Sequence, residues 1–167
     1  MAEAAQGPRV MLRRLPPDRP TPVAHVPEAA ELAALAGEYD LLALRKVRLE
    51  GRLVPEGRAD WRLEARLGAT VVQPCSVTLA PVTTRIEEPV IRRYLADFAM
   101  PAEPEAEMPE DETAEPLPES VDPAAVLAEA LALALPPFPR AEGAAPGDLT
   151  HGPPGAAPIG EAEVHPF

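Results

Sequence analysis

Two stretches that alternate apolar and charged residues, separated by a short break, leave this chain little choice of fold. Val47, Leu49, Gly51 and Leu53 alternate with Lys46, Arg48, Glu50 and Arg52. After a turn over residues 54–58, Trp61, Leu63, Ala65 and Leu67 alternate with Asp60, Arg62, Glu64 and Arg66. Period-two patterning sends successive side chains to opposite faces of a strand, so the pair reads as a half-buried antiparallel hairpin. Charge selects its register. With paired residue numbers summing to 112, Arg52 faces Asp60, Glu50 faces Arg62, Arg48 faces Glu64, Leu49 meets Leu63 and Trp61 covers Gly51. A sum of 114 puts Arg52 opposite Arg62 and Glu50 opposite Glu64, and like charges directly opposite repel.

The hairpin leads into residues 70–82, TVVQPCSVTLAPV, which hold the only cysteine. β-branched pairs at Val71-Val72 and at Val77-Thr78 are interrupted by Pro74 and Pro81, so a strand must end and turn near residues 73–76. Residues 82–95 read as a third long strand. Pro89 breaks its alternation, which predicts an edge position or a bulge. Upstream, residues 1–26 form a proline-rich segment in which residues 10–15 offer an edge strand and prolines 16, 17, 20 and 22 stop anything longer. A short helix follows over residues 27–37, with proline in its first turn, Glu28 and Glu31 near its positive end and Gly37 closing it.

Charge is divided along the chain. Residues 1–40 carry −2, residues 41–95 carry +4 and residues 96–167 carry −14 of the net −12. Residues 99–121 have no basic side chain and many prolines, so they are expected to be a disordered acidic linker. Asp122 is then a good N-cap and Pro123 fits the first helical position of AAVLAEALALAL, which Pro136-Pro137 stops. This helix is apolar almost all round, and it either covers the sheet or docks on a partner. Residues 141–167 form a Gly/Pro/Ala-rich tail that is expected to be disordered.

The domain organisation is therefore an N-terminal segment (1–26), a core of helix and sheet (27–98), an acidic linker (99–121), a helix on the core (122–140) and the tail (141–167). The fold class is α+β, a small antiparallel β-sheet of three to five strands with one or two helices on one face. No apolar run of about 18 residues is present and the first residues lack a hydrophobic signal core, so a cytoplasmic protein without a membrane span is expected.

Catalytic chemistry finds little footing. His25, His151 and His165 lie in proline-rich ends, no phosphate-loop, dinucleotide, HExxH or GxSxG pattern occurs, and Cys75 reads as a small buried hydrophobe. The acidic run 103–119 lacks the spaced ligands and glycine of a calcium loop. No enzyme, cofactor, metal or small-molecule substrate is expected. The polar side of the hairpin, with Arg45, Lys46, Arg48, Arg52, Arg62 and Arg66, offers phosphate contacts. Three interleaved carboxylates and the absence of a stacking aromatic also fit a solvated face.

VVQPCSVTLAPV at 71–82, the strand through Ile86, the acidic insert and DPAAVLAEALALALPPFPR at 122–140 together resemble the YceD family, the large ribosomal RNA subunit accumulation proteins, in its alphaproteobacterial form. The resemblance spans about residues 8–143. It carries Gln73, Cys75, Thr78, Leu79, Asp122, Glu129, Leu131, Leu133 and Pro139 as family-pattern positions. Many members hold a second cysteine where this chain has Thr78, and the entry to the late helix is Asp122-Pro123-Ala124 rather than the usual D-L-G. The resemblance implies a non-enzymatic factor for accumulation of large-subunit (23S) ribosomal RNA, acting in ribosome biogenesis at or near precursor rRNA. The other reading is an acidic adaptor, in which residues 99–121 shield a basic ribosomal protein before its incorporation.

Overall fold

A computed structural model describes residues 8–98 and 112–145. The expected hairpin is formed by β-strands that we number in chain order, β3 (Ala43–Glu56) and β4 (Asp60–Pro74). Its register corrects the sequence expectation. Leu49 pairs Leu67, Gly51 pairs Ala65, Arg52 pairs Glu64 and Leu53 pairs Leu63, so the paired numbers sum to 116 rather than 112. The cause is the turn. Val54, Pro55 and Glu56 stay in the strand, Glu56 pairs Asp60, and only residues 57–59 reverse the chain, with Gly57 at φ 57° supplying the left-handed step. Each partner thus moves by four residues, an even number, which keeps every side chain on its expected face. Charge matching survives as well, with Arg52 opposite Glu64 and Glu50 opposite Arg66. Trp61 faces Pro55, not Gly51. At residue 51 the strands come so close that a Cβ would lie 2.2 Å from the Glu64 carbonyl oxygen.

A β-bulge lies in β3 between Arg45 and Arg48, where Lys46 takes φ 51°. The extra residue resolves a break in the pattern. Leu44 and Val47, three apart and of opposite parity, both turn into the core.

β5 (Pro81–Leu95) pairs with β4 without a shift from Pro74↔Pro81 to Trp61↔Tyr94. The reversal falls over residues 75–80 rather than 73–76, and residues 77–79 belong to this turn, not to a strand. The Cys75 amide donates to the Ala80 carbonyl at 2.7 Å and the Leu79 amide to the Cys75 carbonyl at 3.0 Å. No bulge occurs at Pro89, which lies on an edge. The Arg93 amide donates outward to the Thr113 carbonyl at 2.8 Å, so the odd-numbered amides of β5 point away from β4. Pro81 and Pro89 share that parity, and the N–H groups they lack would have faced the open edge.

Three further departures concern the flanks. The main sheet has a fifth-strand edge in β2 (Thr21–His25), which pairs antiparallel with β3 from Thr21↔Leu53 to His25↔Leu49 despite Pro22, while β1 (Val10–Met11) pairs elsewhere. An edge strand tolerates proline because one side needs no partner. Within the expected linker, residues 99–111 lie outside the described residues, but β6 (Ala114–Pro116) and β7 (Ser120–Val121) are strands. β6 pairs parallel with β5 at Arg93–Leu95, so the sheet, of order β2-β3-β4-β5-β6, is mixed rather than wholly antiparallel. The 18 residues between these strands are long enough for a parallel return. β7 joins β1 in a separate two-stranded sheet. Most of the expected tail, 146–167, also lies outside the described residues.

Helix α1 (Ala29–Glu38) includes Gly37 rather than ending on it; the left-handed residue that turns the chain is Asp40, at φ 52°. Helix α2 (Pro123–Ala134) begins as expected, with the Asp122 carboxylate accepting from the Ala124 and Ala125 amides at 3.0 and 3.4 Å. It stops where Leu135, before Pro136, turns extended. Both helices pack on one face of the sheet, as an α+β arrangement requires. Leu35 of α1 and Leu127 and Leu131 of α2 join Leu49, Leu63 and Leu67 in one buried cluster. Each such leucine contributes on the order of 2 kcal/mol from burial. The Tyr39 hydroxyl donates to the Ala128 carbonyl at 3.1 Å and ties the two helices together.

Candidate nucleic-acid interface

The register decides which charges share the face that the helices leave open. Rows across β3, β4 and β5 read Arg45–Thr70–Arg85, Arg48–Gly68–Glu87, Glu50–Arg66–Pro89, Arg52–Glu64–Ile91 and Val54–Arg62–Arg93, with Glu56 at the far end. Seven arginines therefore stand against four glutamates and Asp60, which pairs with Glu56, on one side of the sheet, with Lys46 exposed in the bulge beside them. In a chain of net charge −12, this face is locally positive. Five of the six cations proposed from sequence sit in these rows and the sixth adjoins them. The sequence reading missed Arg85 and Arg93, because only the β4–β5 register brings them onto the hairpin's polar side.

The carboxylates do not neutralise the face evenly. At the end near the hairpin turn, Glu64 binds Arg52 at 2.9 Å and Arg62 at 2.7 Å, and Glu56 binds Arg62 at 2.6 Å and Arg93 at 3.4 Å. The Arg52 hydrogen bond, assisted by Arg62, holds the Glu64 carboxyl below the ordinary carboxylate range, so it stays charged. Glu87 pairs with Arg85 and lies 3.6 Å from Arg66; the Arg85 hydrogen bond likewise lowers its pKa. At the bulged end the balance tips. Arg48 approaches Glu50 only at 3.9 Å, and among the described residues Arg45 and Lys46 make no ion pair. Arg85 crosses Gly68, where a Cβ would meet its Nη2 at 2.8 Å, and donates to the Lys46 carbonyl and Thr70 Oγ1, both at 3.2 Å.

The family-pattern positions gather elsewhere, at the β4–β5 turn and along α2. Cys75 is fully buried, but it is more than a small apolar filler. Its Sγ accepts from the amides of Val77 at 3.4 Å, Thr78 at 3.5 Å and Ala141 at 3.3 Å. The Ala141 amide, followed by Thr78, favours the thiolate and pulls the pKa down to about 6, although burial pushes the other way. The Ser76 amide donates to the Pro139 carbonyl at 2.8 Å and Gln73 Nε2 to the Pro136 carbonyl at 3.2 Å. Gln73, Cys75 and Ser76 thus clasp the segment after α2, at Pro136, Ala141 and Pro139, onto the turn, while Thr78 bonds within the turn itself. Leu131 is buried, Glu129 binds Arg92 at 2.8 Å, and Asp122 caps α2. Leu79, at φ 62°, and Leu133 are exposed, at 75% and 81%. Among the described residues no group of three or more His, Cys, Asp or Glu side chains is placed to hold a metal, and no helix is long and apolar enough to cross a membrane.

Residues 63–165 match the family described as large ribosomal RNA subunit accumulation protein YceD. The chain belongs to the YceD family. The match takes in the clasp at Cys75, β5 and α2, and with them all nine pattern positions. It starts later and ends later than the resemblance over about residues 8–143. β2, β3 and the cations Arg45, Lys46, Arg48, Arg52 and Arg62 precede the stretch shared with the YceD description, whereas Arg66, Arg85 and Arg93 lie within it. No curated protein and no solved structure matches the chain.

Proposed function

We propose that this YceD-family protein is a non-enzymatic, cytoplasmic ribosome-biogenesis factor that supports accumulation of large-subunit ribosomal RNA by binding the precursor rRNA through the open face of its sheet. The observation that carries this reading is the surplus of arginine on that face, Arg45, Arg48, Arg52, Arg62, Arg66, Arg85 and Arg93 against four glutamates and Asp60, in a chain that is otherwise acidic. A protein repelled from polyanions overall engages RNA only where local positive charge exceeds the repulsion. The family description supplies the kind of RNA.

Affinity capture of the tagged protein from its host, at low and moderate salt, tests the reading. Large-subunit precursor rRNA is expected in the eluate and is lost when Arg48, Arg52 and Arg62 are replaced by Ala. Recovery of one basic ribosomal protein without RNA, abolished by deleting residues 103–119, would overturn it in favour of the acidic adaptor.

A further inference from the structure

The geometry points to a double-helical RNA as the ligand of this face, gripped by its phosphates at the bulged end through Arg45, Lys46 and Arg48, with Arg85 bracing the bulge. The inference rests on the RNA reading above and goes on to name the form of RNA and the end of the sheet that binds it.

Two independent features carry it. The first is what the face lacks. Proteins that hold single-stranded RNA on a sheet stack its bases on aromatic side chains. Here no outer-face position of β3, β4 or β5 is aromatic, and Trp61 and Tyr94, which pair across β4 and β5, are turned inward and buried. What remains is a pleated surface of guanidinium groups, roughly 20 Å along the strands from Arg45 to Arg52 and about 10 Å across three strands. Such a surface meets a duplex backbone, whose bases are already stacked on one another.

The second feature is where the charge is unspent. Glu56 and Glu64 hold Arg52, Arg62 and Arg93 in a chain of close ion pairs, and a phosphate there must compete with a carboxylate. At the other end Arg45 and Lys46 have no carboxylate partner among the described residues, Arg48 lies 3.9 Å from Glu50, and the one close carboxylate, Glu87, is held by Arg85. The left-handed Lys46 lifts the strand at this point, and the Arg85 guanidinium bonded to its carbonyl braces the bulge.

The test measures binding of the full chain to an RNA duplex of about 16 base pairs and to one of its strands alone, across a salt series. The duplex is expected to bind about fivefold or more tighter than the strand. Replacing Arg45 by Gln together with Lys46 by Asn, a residue that tolerates the left-handed conformation, is expected to lower duplex affinity about tenfold and reduce the salt slope by roughly 1–2. Arg52→Gln, at a guanidinium that Glu64 already holds, is expected to lower it by less than Arg45→Gln does. Circular dichroism confirms that each variant folds; if the double variant does not, Arg45→Gln and Arg48→Gln are measured singly in its place. Equal or tighter binding of the single strand, or loss on Arg52→Gln with none at the bulge, overturns the inference and leaves the RNA reading standing. Failure of the unaltered protein to bind either RNA overturns both.

Discussion

The Ala141 amide donates to Cys75 Sγ at 3.3 Å, joining the β4–β5 turn to a segment 66 residues further along the chain. With the Val77 and Thr78 amides it makes the sulfur an acceptor of three hydrogen bonds inside the protein. Cys75→Ala removes the acceptor and leaves three N–H groups without it, whereas Cys75→Ser keeps an oxygen there. The alanine variant is expected to melt about 5 °C or more below the parent and the serine variant to lie between them. Thermal unfolding followed by circular dichroism reads the order.

The same sulfur gives stability a pH dependence. Its folded pKa is about 6 against an ordinary value of 9.0. A depressed pKa means that the unfolded chain binds the extra proton, so stability rises with pH between about 6 and 9 and is lost as pH falls back through that window. Urea midpoints measured across it should increase for the parent and stay flatter for Cys75→Ala. Identical slopes would show that the three amides do not stabilise the thiolate.

Two glycines predict opposite outcomes for the same substitution. A Cβ at Gly51 lies 2.2 Å from the Glu64 carbonyl oxygen and 2.4 Å from Ala65 Cα, both backbone, so Gly51→Ala must part β3 from β4. It is expected to cost about 3 kcal/mol or more. Gly37 lies inside α1 with nothing within 4 Å of its added Cβ, and Gly37→Ala is expected to stabilise by roughly 0.5–1 kcal/mol. Urea denaturation of the two variants distinguishes them.

Arg92, on the helix-facing side of β5, binds Glu129 of α2 at 2.8 Å and Glu115 of β6 at 3.3 Å, with only 14% of its side chain exposed. A largely buried guanidinium shared by three elements contributes more than an isolated surface pair. Arg92→Met is expected to cost about 1–3 kcal/mol, and Glu129→Gln about 0.5 kcal/mol, because that carboxylate is largely solvated. A double-mutant cycle with a coupling indistinguishable from zero would remove the ion pair from the account.

On the open face, Glu64 binds both Arg52 and Arg62. Glu64→Gln removes one negative charge and loosens two guanidinium groups, so affinity for RNA should rise about two- to fivefold and its salt dependence should steepen. Filter binding at two salt concentrations suffices. Lower affinity would mean that Glu64 positions the arginines productively rather than competing for them.

Much of this architecture was legible from local pattern. Alternation at 47–53 and 61–67 assigned each side chain to a face, and an error of four residues in register left that assignment intact, because an even shift preserves parity. Asp122-Pro123 and Pro136-Pro137 bounded α2 through chemistry confined to a single turn at each end. Pro89 called for an edge position or a bulge, and it lies on the stretch of β5 that β6 does not cover, where a missing N–H is tolerated because no neighbour needs it. The clasp at Cys75 was half legible: its members stood out as a resemblance, but nothing local said that Gln73, Cys75 and Ser76 bond to residues 136–141.

What the sequence alone determined, then, is every property set by neighbours within a few positions: strand faces, helix caps, the split of charge and the family pattern. What the tertiary structure alone decided is every property that depends on how far one segment travels before meeting another. The three-residue turn at Gly57 chose the register, and the bulge at Lys46 freed the cations beside it. The β4–β5 ladder brought Arg85 and Arg93 onto the basic face. The parallel return to β6 drew part of an acidic, proline-rich stretch into the sheet, since backbone pairing accepts a sequence whose side chains offer little to bury.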